Sequence, residues 1–307
     1  MTLKTNAAND NRYKGAPADL MEAAIRLHHP SHDGLPIITI DTSDESLAGY
    51  SWVDAGQLDP AYVHKARIEL ESTAGPQEPV YYVSRIDLDR KIDVFGLIPY
   101  RFGCHNGIVS RLHDAVDAIQ SPGLRAFVSD VFTLYAVYRY FWTCPASQHH
   151  HHSYRGGLAL HSIEMAESAV KIPHLTTTER DFAVVYGLLH DIGKIWCYGS
   201  DRLFATWSDH ETAAVECLEQ PLSRLHCTWP DAAYAIRSLL SGKWKTTGSR
   251  PIMAIGKLTQ ALDQVSVEQD LRRCSVLEHM PWTPSPEPTK ALRTVEDTKP
   301  PSRSNFA

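Results

Sequence analysis

The sequence lacks several features that would place it in a familiar class of protein. Its six cysteines contain no C-x-x-C pair, which argues against a zinc ribbon or a disulfide framework and favours free thiols. Its longest apolar stretch, Phe182 to Leu189, is far shorter than the roughly 20 residues that a membrane helix needs. The first residues, MTLKTNAANDNRYKG, have no apolar core of the kind that a secretory signal requires. We therefore expect a cytoplasmic protein with no membrane partner.

The composition is that of a folded chain. Of its 307 residues, 43% are hydrophobic and 21% are charged, which excludes wholesale disorder. This length allows one large domain or two ordinary ones, each with a sizeable core. The net charge of −6 disfavours a generic nucleic-acid coat but allows a local basic groove. Histidine is the unusual residue, with 16 copies, and four of them are consecutive.

Four zones can be distinguished along the chain. Residues 1–35 are expected to be a largely disordered N-terminal segment, and the proline-rich residues 281–307 a disordered tail. Residues 36–106 contain short β-type runs punctuated by Gly, Pro and Asp, which predict a small mixed or β-rich accessory region. From 107 to 280 apolar residues recur at three- and four-residue spacing, which predicts an all-α domain. The expected fold class is mainly α, a helical bundle preceded by a small mixed α/β region.

Two motifs suggest chemistry. The first is PASQHHHHSYRGGLALH, residues 145–161, and the second is LLHDIGK, residues 188–194. A lone His161 on an apolar helix would usually be a core histidine, but the adjacent pair His190 and Asp191 at the end of an apolar helix is different. Burying a carboxylate beside an imidazole costs several kcal/mol unless something satisfies both groups. A metal ion does so directly.

The donor atoms of these residues suit a divalent cation. Imidazole nitrogen and carboxylate oxygen are ligands for ions such as Mn, Fe, Ni, Zn or Mg. Three or four such ligands on separate helices can hold one ion and leave a position for water or a phosphate oxygen. Asp263, an acid among apolar neighbours in the helical run LTQALDQV, is the best candidate to complete the set.

The order His161, then His190-Asp191, then Asp263 on successive helices resembles the HD phosphohydrolase superfamily. The longer string is more specific: Pro-Ala-Ser, a histidine triplet, Gly-Gly-Leu and a histidine. It is similar to the N-terminal domain of TraI relaxases of the MobH type, found on conjugative plasmids and integrating conjugative elements. A related pattern occurs in HD-domain 3′ exonucleases. The resemblance covers roughly residues 107–270 and implies an HD-type helical bundle that binds a divalent metal ion.

Carried over residue by residue, the resemblance assigns four metal ligands: His161, His190, Asp191 and Asp263. Asp191 would bridge the ions if two were bound. His210 lies where two-metal members have another ligand, so it is an optional fifth. The histidine or histidine pair that usually follows in those members is absent from residues 239–244. One ion is therefore expected rather than two.

The resemblance also implies catalytic roles for Asp191 and Lys194. Lys194 lies one turn beyond the His-Asp pair, where such enzymes use a cation to meet substrate phosphate. The alternative is a solvated lysine at a helix end that complements the helix dipole. Tyr154 is close to the motif in sequence, but a role as covalent nucleophile is not favoured.

The histidine run supplies further candidates for phosphate binding: His150, His151 and His152. At least one of them is expected to reach the site and contact phosphate or a second ion. The alternative is a solvated loop with adventitious metal affinity. Gly156 and Gly157 would let the backbone approach closely before the His161 helix begins, and the N-terminus of that helix favours anions.

A local cluster of basic residues follows later in the chain. No acidic residue occurs between Asp231 and Asp263, and several basic ones do: Arg237, Lys243, Lys245, Arg250 and Lys257. Such clusters bind phosphate backbones, and an exposed Trp244 among them would stack a base. Lys243, Lys245 and Arg250 are therefore candidate phosphate-binding residues. The alternative is a solvated face with a core tryptophan.

These observations favour a metal-dependent phosphohydrolase or phosphodiesterase that acts on nucleic acid, DNA rather than RNA, in conjugative transfer. Other conjugation proteins would be further partners. Two alternatives remain open. One is an HD-domain 3′ exonuclease or nucleotidase; the other is a non-catalytic accessory of a mobile element that binds DNA or protein and has a structural metal.

Overall fold

The computed structural model describes residues 20–28, 34–73, 79–148, 151–198, 207, 209–247 and 249–277. The chain begins with strands β1 Met21–Leu27, β2 Ile37–Asp41, β3 Ser46–Ser51, β4 His64–Thr73 and β5 Val80–Leu88. Two 3-10 turns follow, Phe95–Leu97 and Tyr100–Phe102. The first helices are α1 Ile108–Asp117, α2 Pro122–Thr133, α3 Tyr135–Tyr140, α4 Gly157–Val170, α5 Thr177–Leu189 and α6 Lys194–Tyr198. The remainder are α7 His210–Cys217, α8 Glu219–Thr228, α9 Pro230–Leu240, α10 Trp244–Thr247 and α11 Arg250–Leu277.

The five strands close into a barrel in the order β1-β2-β3-β5-β4. Strand β1 pairs antiparallel with both β2 and β4, which closes the barrel, and the one parallel pair joins β3 to β5. The β3–β5 pair spans only Gly49–Ser51 and Tyr81–Val83, so the barrel is closed there by a short ladder. A five-stranded Greek-key barrel is the architecture of OB folds.

The barrel has a core of its own. Alternate residues of each strand point inward, among them Ile25, Ile38, Ile40, Ile68 and Ile86, all without solvent exposure. This period of two is what a half-buried strand requires. The register therefore fixes which side chains fill the barrel and which face outward.

The prediction of a mainly α fold is wrong for this chain. Of the described residues, about 53% are helical and 17% are strand, and the N-terminal part is a closed barrel instead of a small mixed α/β region. The barrel starts at Met21, inside residues 1–35, which were expected to be disordered. Strand β1 reads MEAAIRL, and Ala and Glu are depleted in strands. It is a strand because pairing on both sides overrides that local preference. Residues 1–19, 29–33 and 281–307 of the two segments expected to be disordered lie outside the described residues.

The helices begin at Ile108, close to the predicted boundary at 107. Helix α5 starts with a capping box, in which the Thr176 hydroxyl accepts from the Glu179 N–H and the Glu179 carboxylate accepts from the Thr176 N–H. None of the described helices has an apolar stretch long enough to cross a membrane.

Helices α4 and α5 approach each other closely at Gly187. A Cβ atom there would lie 3.2 Å from the backbone nitrogen of Ala166 and 3.3 Å from the carbonyl carbon of Met165. His190 lies one turn after Gly187, and His161 lies one turn before Met165. Close backbone approach at this glycine therefore brings the histidines of the two motifs together.

Candidate metal centre

Asp191 is the hub of a polar cluster at the C-terminal end of α5. Its Oδ2 lies 3.4 Å from Nε2 of His190 and 3.8 Å from Nε2 of His161. Its other oxygen, Oδ1, lies 3.5 Å from Nε2 of His210, the first residue of α7. The side chain of Asp191 is 8% exposed. Three histidines from three helices therefore converge on one buried carboxylate.

His161 is fully buried on α4 and completes the contact between the two motifs. Its Nε2 lies 3.2 Å from Nε2 of His190 and 3.2 Å from Oδ1 of Asp263 on α11. Its other nitrogen, Nδ1, lies 3.0 Å from Oγ of Ser266. Asp263, the candidate from the apolar run, is thus joined to the cluster through His161, and its side chain is 40% exposed.

Lys194 lies at the same cluster. Its Nζ is 2.5 Å from Oδ2 of Asp191, and its side chain is 12% exposed. It begins α6, so it does not stand at a helix C-terminus. The structure therefore places Lys194 in the site and not on a solvated helix end.

The electrostatics of the cluster favour ionised carboxylates. Burial disfavours charge on Asp191 and His190 alike, but their mutual attraction outweighs burial. The pKa of Asp191 therefore lies well below its usual range, and the pKa of His190 lies above its usual value. Burial likewise opposes ionisation of Asp263, but its hydrogen bond to His161 lowers the pKa below the usual value. Burial lowers the pKa of His161 and favours the neutral imidazole, the form in which histidine binds metal.

These residues fit a divalent cation. The donor atoms of His161, His190 and Asp191 lie within 4.8 Å of one another, and Asp263 adds a second carboxylate beside His161. Bonds of about 2.0–2.2 Å from nitrogen and oxygen to one ion bring the donor atoms about this close together. The donor set of imidazole and carboxylate suits a borderline or hard metal.

The histidine run divides into residues with different surroundings. His150 lies outside the described residues. The His151 ring lies 5.9 Å from the His161 ring, and burial lowers its pKa. His152 is fully buried, and its backbone N–H donates to Oδ2 of Asp270 at 2.6 Å. The His152 ring lies closer still to His161, at 5.2 Å, but its backbone is tied to α11. His152 therefore holds the loop in place, and both rings border the site.

Gly157 is what allows that loop to turn onto α4. A Cβ atom at this position would lie 2.0 Å from the carbonyl oxygen of His152. Gly156 before it has φ of +82°, a left-handed conformation that suits glycine. The two glycines of the motif therefore serve a backbone contact within the chain.

The segment with the basic residues Lys243, Lys245 and Arg250 lies beside the site, but part of its charge is paired with acids. Trp244 is 4% exposed, and its indole N–H lies 3.3 Å from the Tyr186 hydroxyl. The Tyr186 ring in turn contacts the His190 ring at 6.1 Å between centroids. Lys245 lies 3.0 Å from the Glu211 carboxylate, next to His210. Trp244 is therefore a core residue that cannot stack a base.

Among the other basic side chains of this region, one is paired with an acid and two are exposed. Arg237 pairs with Glu219 at 2.7 Å and so offers less charge to a ligand. Lys243 and Arg250 are exposed. Of the three residues expected to bind phosphate here, Lys243 and Arg250 face solvent, and Lys245 is held by an acid.

The sequence patterns missed two buried residues of α11, Ser266 and Asp270. Ser266 contacts His161, and Asp270 accepts from the backbone of His152 and from the Tyr154 hydroxyl at 3.0 Å. Their spacing of three and seven residues from Asp263 places all three on one helix face. That spacing was visible in the sequence, but nothing marked which face of α11 would be buried.

Comparison of the chain with protein-family models, with curated proteins and with solved structures finds no match.

Proposed function

We propose that this protein is a metal-dependent phosphohydrolase that acts on nucleic acid, as the resemblance to HD phosphohydrolases and TraI relaxases implies. The observation that carries the proposal is the convergence of His161, His190 and Asp191, whose donor atoms lie within 4.8 Å of one another, with Asp263 joined to them through His161. A shared metal ion would satisfy the buried nitrogen and oxygen donors that lie together here. A divalent cation bound there supplies an activated water and neutralises phosphoryl charge.

Each side chain then has a role of its own. His161, His190, Asp191 and Asp263 would hold the cation. His210, whose Nε2 lies 3.5 Å from Oδ1 of Asp191, would be a further ligand. Lys194, already within the cluster, would bind a non-bridging phosphate oxygen and stabilise developing charge. His151, at the edge of the same cluster, would contact the phosphate from the side of the loop.

Two features support nucleic acid as the substrate class. The loop with Lys243 and Arg250 packs beside the site through Trp244 and Tyr186. The barrel carries three aromatic rings in succession on its outer surface: Tyr50, Tyr82 and Trp52, with centroids 5.9 and 5.1 Å apart. Trp52 is 37% exposed, and Tyr50 and Tyr82 are half-buried beside it. Exposed rings stack bases in OB folds.

We also propose a cytoplasmic location, because the cysteines Cys104, Cys144, Cys197, Cys217 and Cys227 are free thiols.

The first test measures metal and hydrolysis together. The purified untagged protein, loaded with Mn²⁺ or Zn²⁺, is expected to retain about one ion per chain. It should hydrolyse at least one member of a panel of single-stranded DNA, RNA, nucleoside monophosphates and a chromogenic phosphodiester. Asp191→Ala should lose the ion and at least about 100-fold of the activity, while its circular dichroism stays helical. Asp44→Asn, a variant at an exposed carboxylate of the barrel, should match the parent.

Retention of a full equivalent of metal by Asp191→Ala would contradict the ligand assignment. Metal binding without hydrolysis of any substrate would favour the non-catalytic accessory and overturn the enzyme proposal.

The second test concerns the substrate. Binding of single-stranded DNA should weaken with salt by about 0.7 log units per phosphate contact per log unit of salt. Lys243→Ala combined with Arg250→Ala should flatten that slope and leave bound metal unchanged. Arg67→Ala serves as the control, because Arg67 lies on the barrel and already pairs with Glu22 and Asp89.

One observation favours the nucleotidase alternative. Lys245 is paired with an acid and Trp244 is buried, so neither residue is available to a long nucleic acid. A salt-independent parent that hydrolyses mononucleotides would favour that second function.

A further inference from the structure

Helix α11 contacts the motif histidines through one polar face. Asp263, Ser266 and Asp270 share this face with Thr259, at spacings of four, three and four residues. Ser266 is 4% exposed, and its Oγ lies 3.0 Å from Nδ1 of the fully buried His161. The hydroxyl and the ring nitrogen therefore form a pair that is shielded from water.

The two nitrogens of His161 face different groups. Nδ1 faces Ser266, whereas Nε2 faces His190 at 3.2 Å, Asp263 at 3.2 Å and Asp191 at 3.8 Å. A metal takes imidazole through a lone pair, so the binding nitrogen must carry no proton and the other nitrogen must carry one. A partner that accepts the Nδ1–H thus favours the tautomer whose Nε2 can bind the metal.

We propose that Ser266 is a positioning residue of the metal centre, whose hydroxyl oxygen accepts the Nδ1–H of His161 and leaves Nε2 unprotonated toward His190 and Asp191. This inference rests on the proposed metal-dependent function. A serine hydroxyl both donates and accepts. It therefore also keeps its bond to His161 in the metal-free protein, where Nε2–H is free to donate to Asp263. Alanine can do neither, and the ring would lose the bond that fixes its rotation.

The experiment compares Ser266→Ala with two reference variants. Ser266→Thr keeps the hydroxyl. Thr259→Ala removes a hydroxyl from the same helix face, where Thr259 is 2% exposed and its oxygen has no hydrogen-bond partner among the described residues. Affinity for Zn²⁺ and Mn²⁺ is measured by competition with a chromophoric chelator. Ser266→Ala should bind about 10- to 100-fold more weakly, and the other two should stay within about threefold of the parent.

A second readout reports the proton directly. Long-range ¹H–¹⁵N spectra of protein labelled at histidine distinguish the two tautomers, and His161→Gln identifies the signal of His161. In the Zn²⁺-loaded parent, His161 should carry its proton on Nδ1. In metal-free Ser266→Ala the ¹⁵N signal of Nδ1 should shift, because that nitrogen loses its hydrogen bond to Ser266, whereas Thr259→Ala should leave it unchanged.

The outcomes separate the two proposals. A parent that binds neither Zn²⁺ nor Mn²⁺ overturns the proposed function and this inference together. A parent that binds metal, with Ser266→Ala binding equally well and showing an unchanged Nδ1 signal, overturns the role of Ser266 alone. If Ser266→Ala does not fold, Ser266→Cys replaces it, because a thiol is close in size and a weaker hydrogen-bond acceptor. A Zn²⁺-loaded parent with the proton of His161 on Nε2 would overturn the inference without any variant.

Discussion

His152 shows how one residue of a motif can serve structure while its neighbours serve chemistry. It has φ of +50°, a conformation that costs a non-glycine residue roughly 1–2 kcal/mol. Its ring nitrogens lie 3.7 Å from the carboxylates of Asp270 and Glu164, on opposite sides. A histidine that binds metal directs one ring nitrogen at the ion. Both ring nitrogens of His152 face acidic side chains instead. The strained backbone is stabilised by the 2.6 Å bond from its N–H to Asp270.

This arrangement predicts a large effect at Asp270. Asp270→Ala should lower the free energy of unfolding by about 3 kcal/mol, because the buried N–H of His152 and the Tyr154 hydroxyl both lose their acceptor. Urea denaturation followed by circular dichroism measures the difference. Glu268→Ala, an exposed acid on the same helix, should change stability by less than about 0.5 kcal/mol. Equal effects of the two variants would show that Asp270 does not hold the loop.

Among the elements, the turn between α5 and α6 illustrates why the His-Asp motif contains a glycine. A Cβ atom at Gly193 would lie 1.9 Å from the carbonyl oxygen of His210 and 2.8 Å from the backbone nitrogen of Ala214. Helix α7 therefore packs directly on the backbone of this turn. That contact brings His210 to within 3.5 Å of Asp191.

Two glycine substitutions with opposite expected effects on stability test this packing. Gly193→Ala should destabilise the protein by about 1–3 kcal/mol, because α7 must move away from the turn. Gly123→Ala should stabilise it by up to about 1 kcal/mol, because Gly123 lies within helix α2 and its added Cβ would meet only ordinary contacts at 3.6 and 3.9 Å. Thermal and urea unfolding measure both. A neutral Gly193→Ala would contradict the close approach of α7.

In the molecule as a whole, the barrel and the helices meet around a buried acid. Asp41 ends β2 and is 4% exposed. Burial raises its pKa to about 6, although Ser46, Arg101, Arg139 and Tyr138 all act to lower it. The neighbouring contacts join the β2–β3 turn to the segment before α1: the Tyr100 N–H donates to the Ser43 carbonyl, and Arg101 donates to the Ser46 carbonyl.

The stability of this junction should depend on pH. Because the folded pKa of Asp41, about 6, exceeds the ordinary value of 3.8, the folded state binds the proton more tightly. Its stabilising contribution is complete below pH 3.8 and is lost as the pH rises through 6. Asp41→Asn cannot titrate, so its stability relative to the parent should increase between pH 4 and pH 8, by up to about 3 kcal/mol. Urea unfolding across this range measures the difference, with Asp44→Asn as the exposed reference. A constant difference between Asp41→Asn and the parent would contradict the pKa of Asp41.

The features that depend on local pattern could be predicted from the amino-acid sequence. The three- and four-residue periodicity after residue 107 located the helical half, and the motif at His190 and Asp191 located the centre of the candidate site. It gave Asp263 as well, because an acid in an apolar helical run needs a partner wherever that helix packs.

Other features depend on contacts between elements that are distant in the chain. Strand β1 has a composition that disfavours strands, and its pairing with β2 and β4 depends on residues far along the chain. Which face of α11 is buried, and hence the roles of Ser266 and Asp270, follows from how that helix packs on α4. The burial of Trp244 and the ion pair of Lys245 could not be predicted for the same reason. A local pattern gives residue type and spacing, whereas burial and pairing depend on elements that meet only when the chain folds.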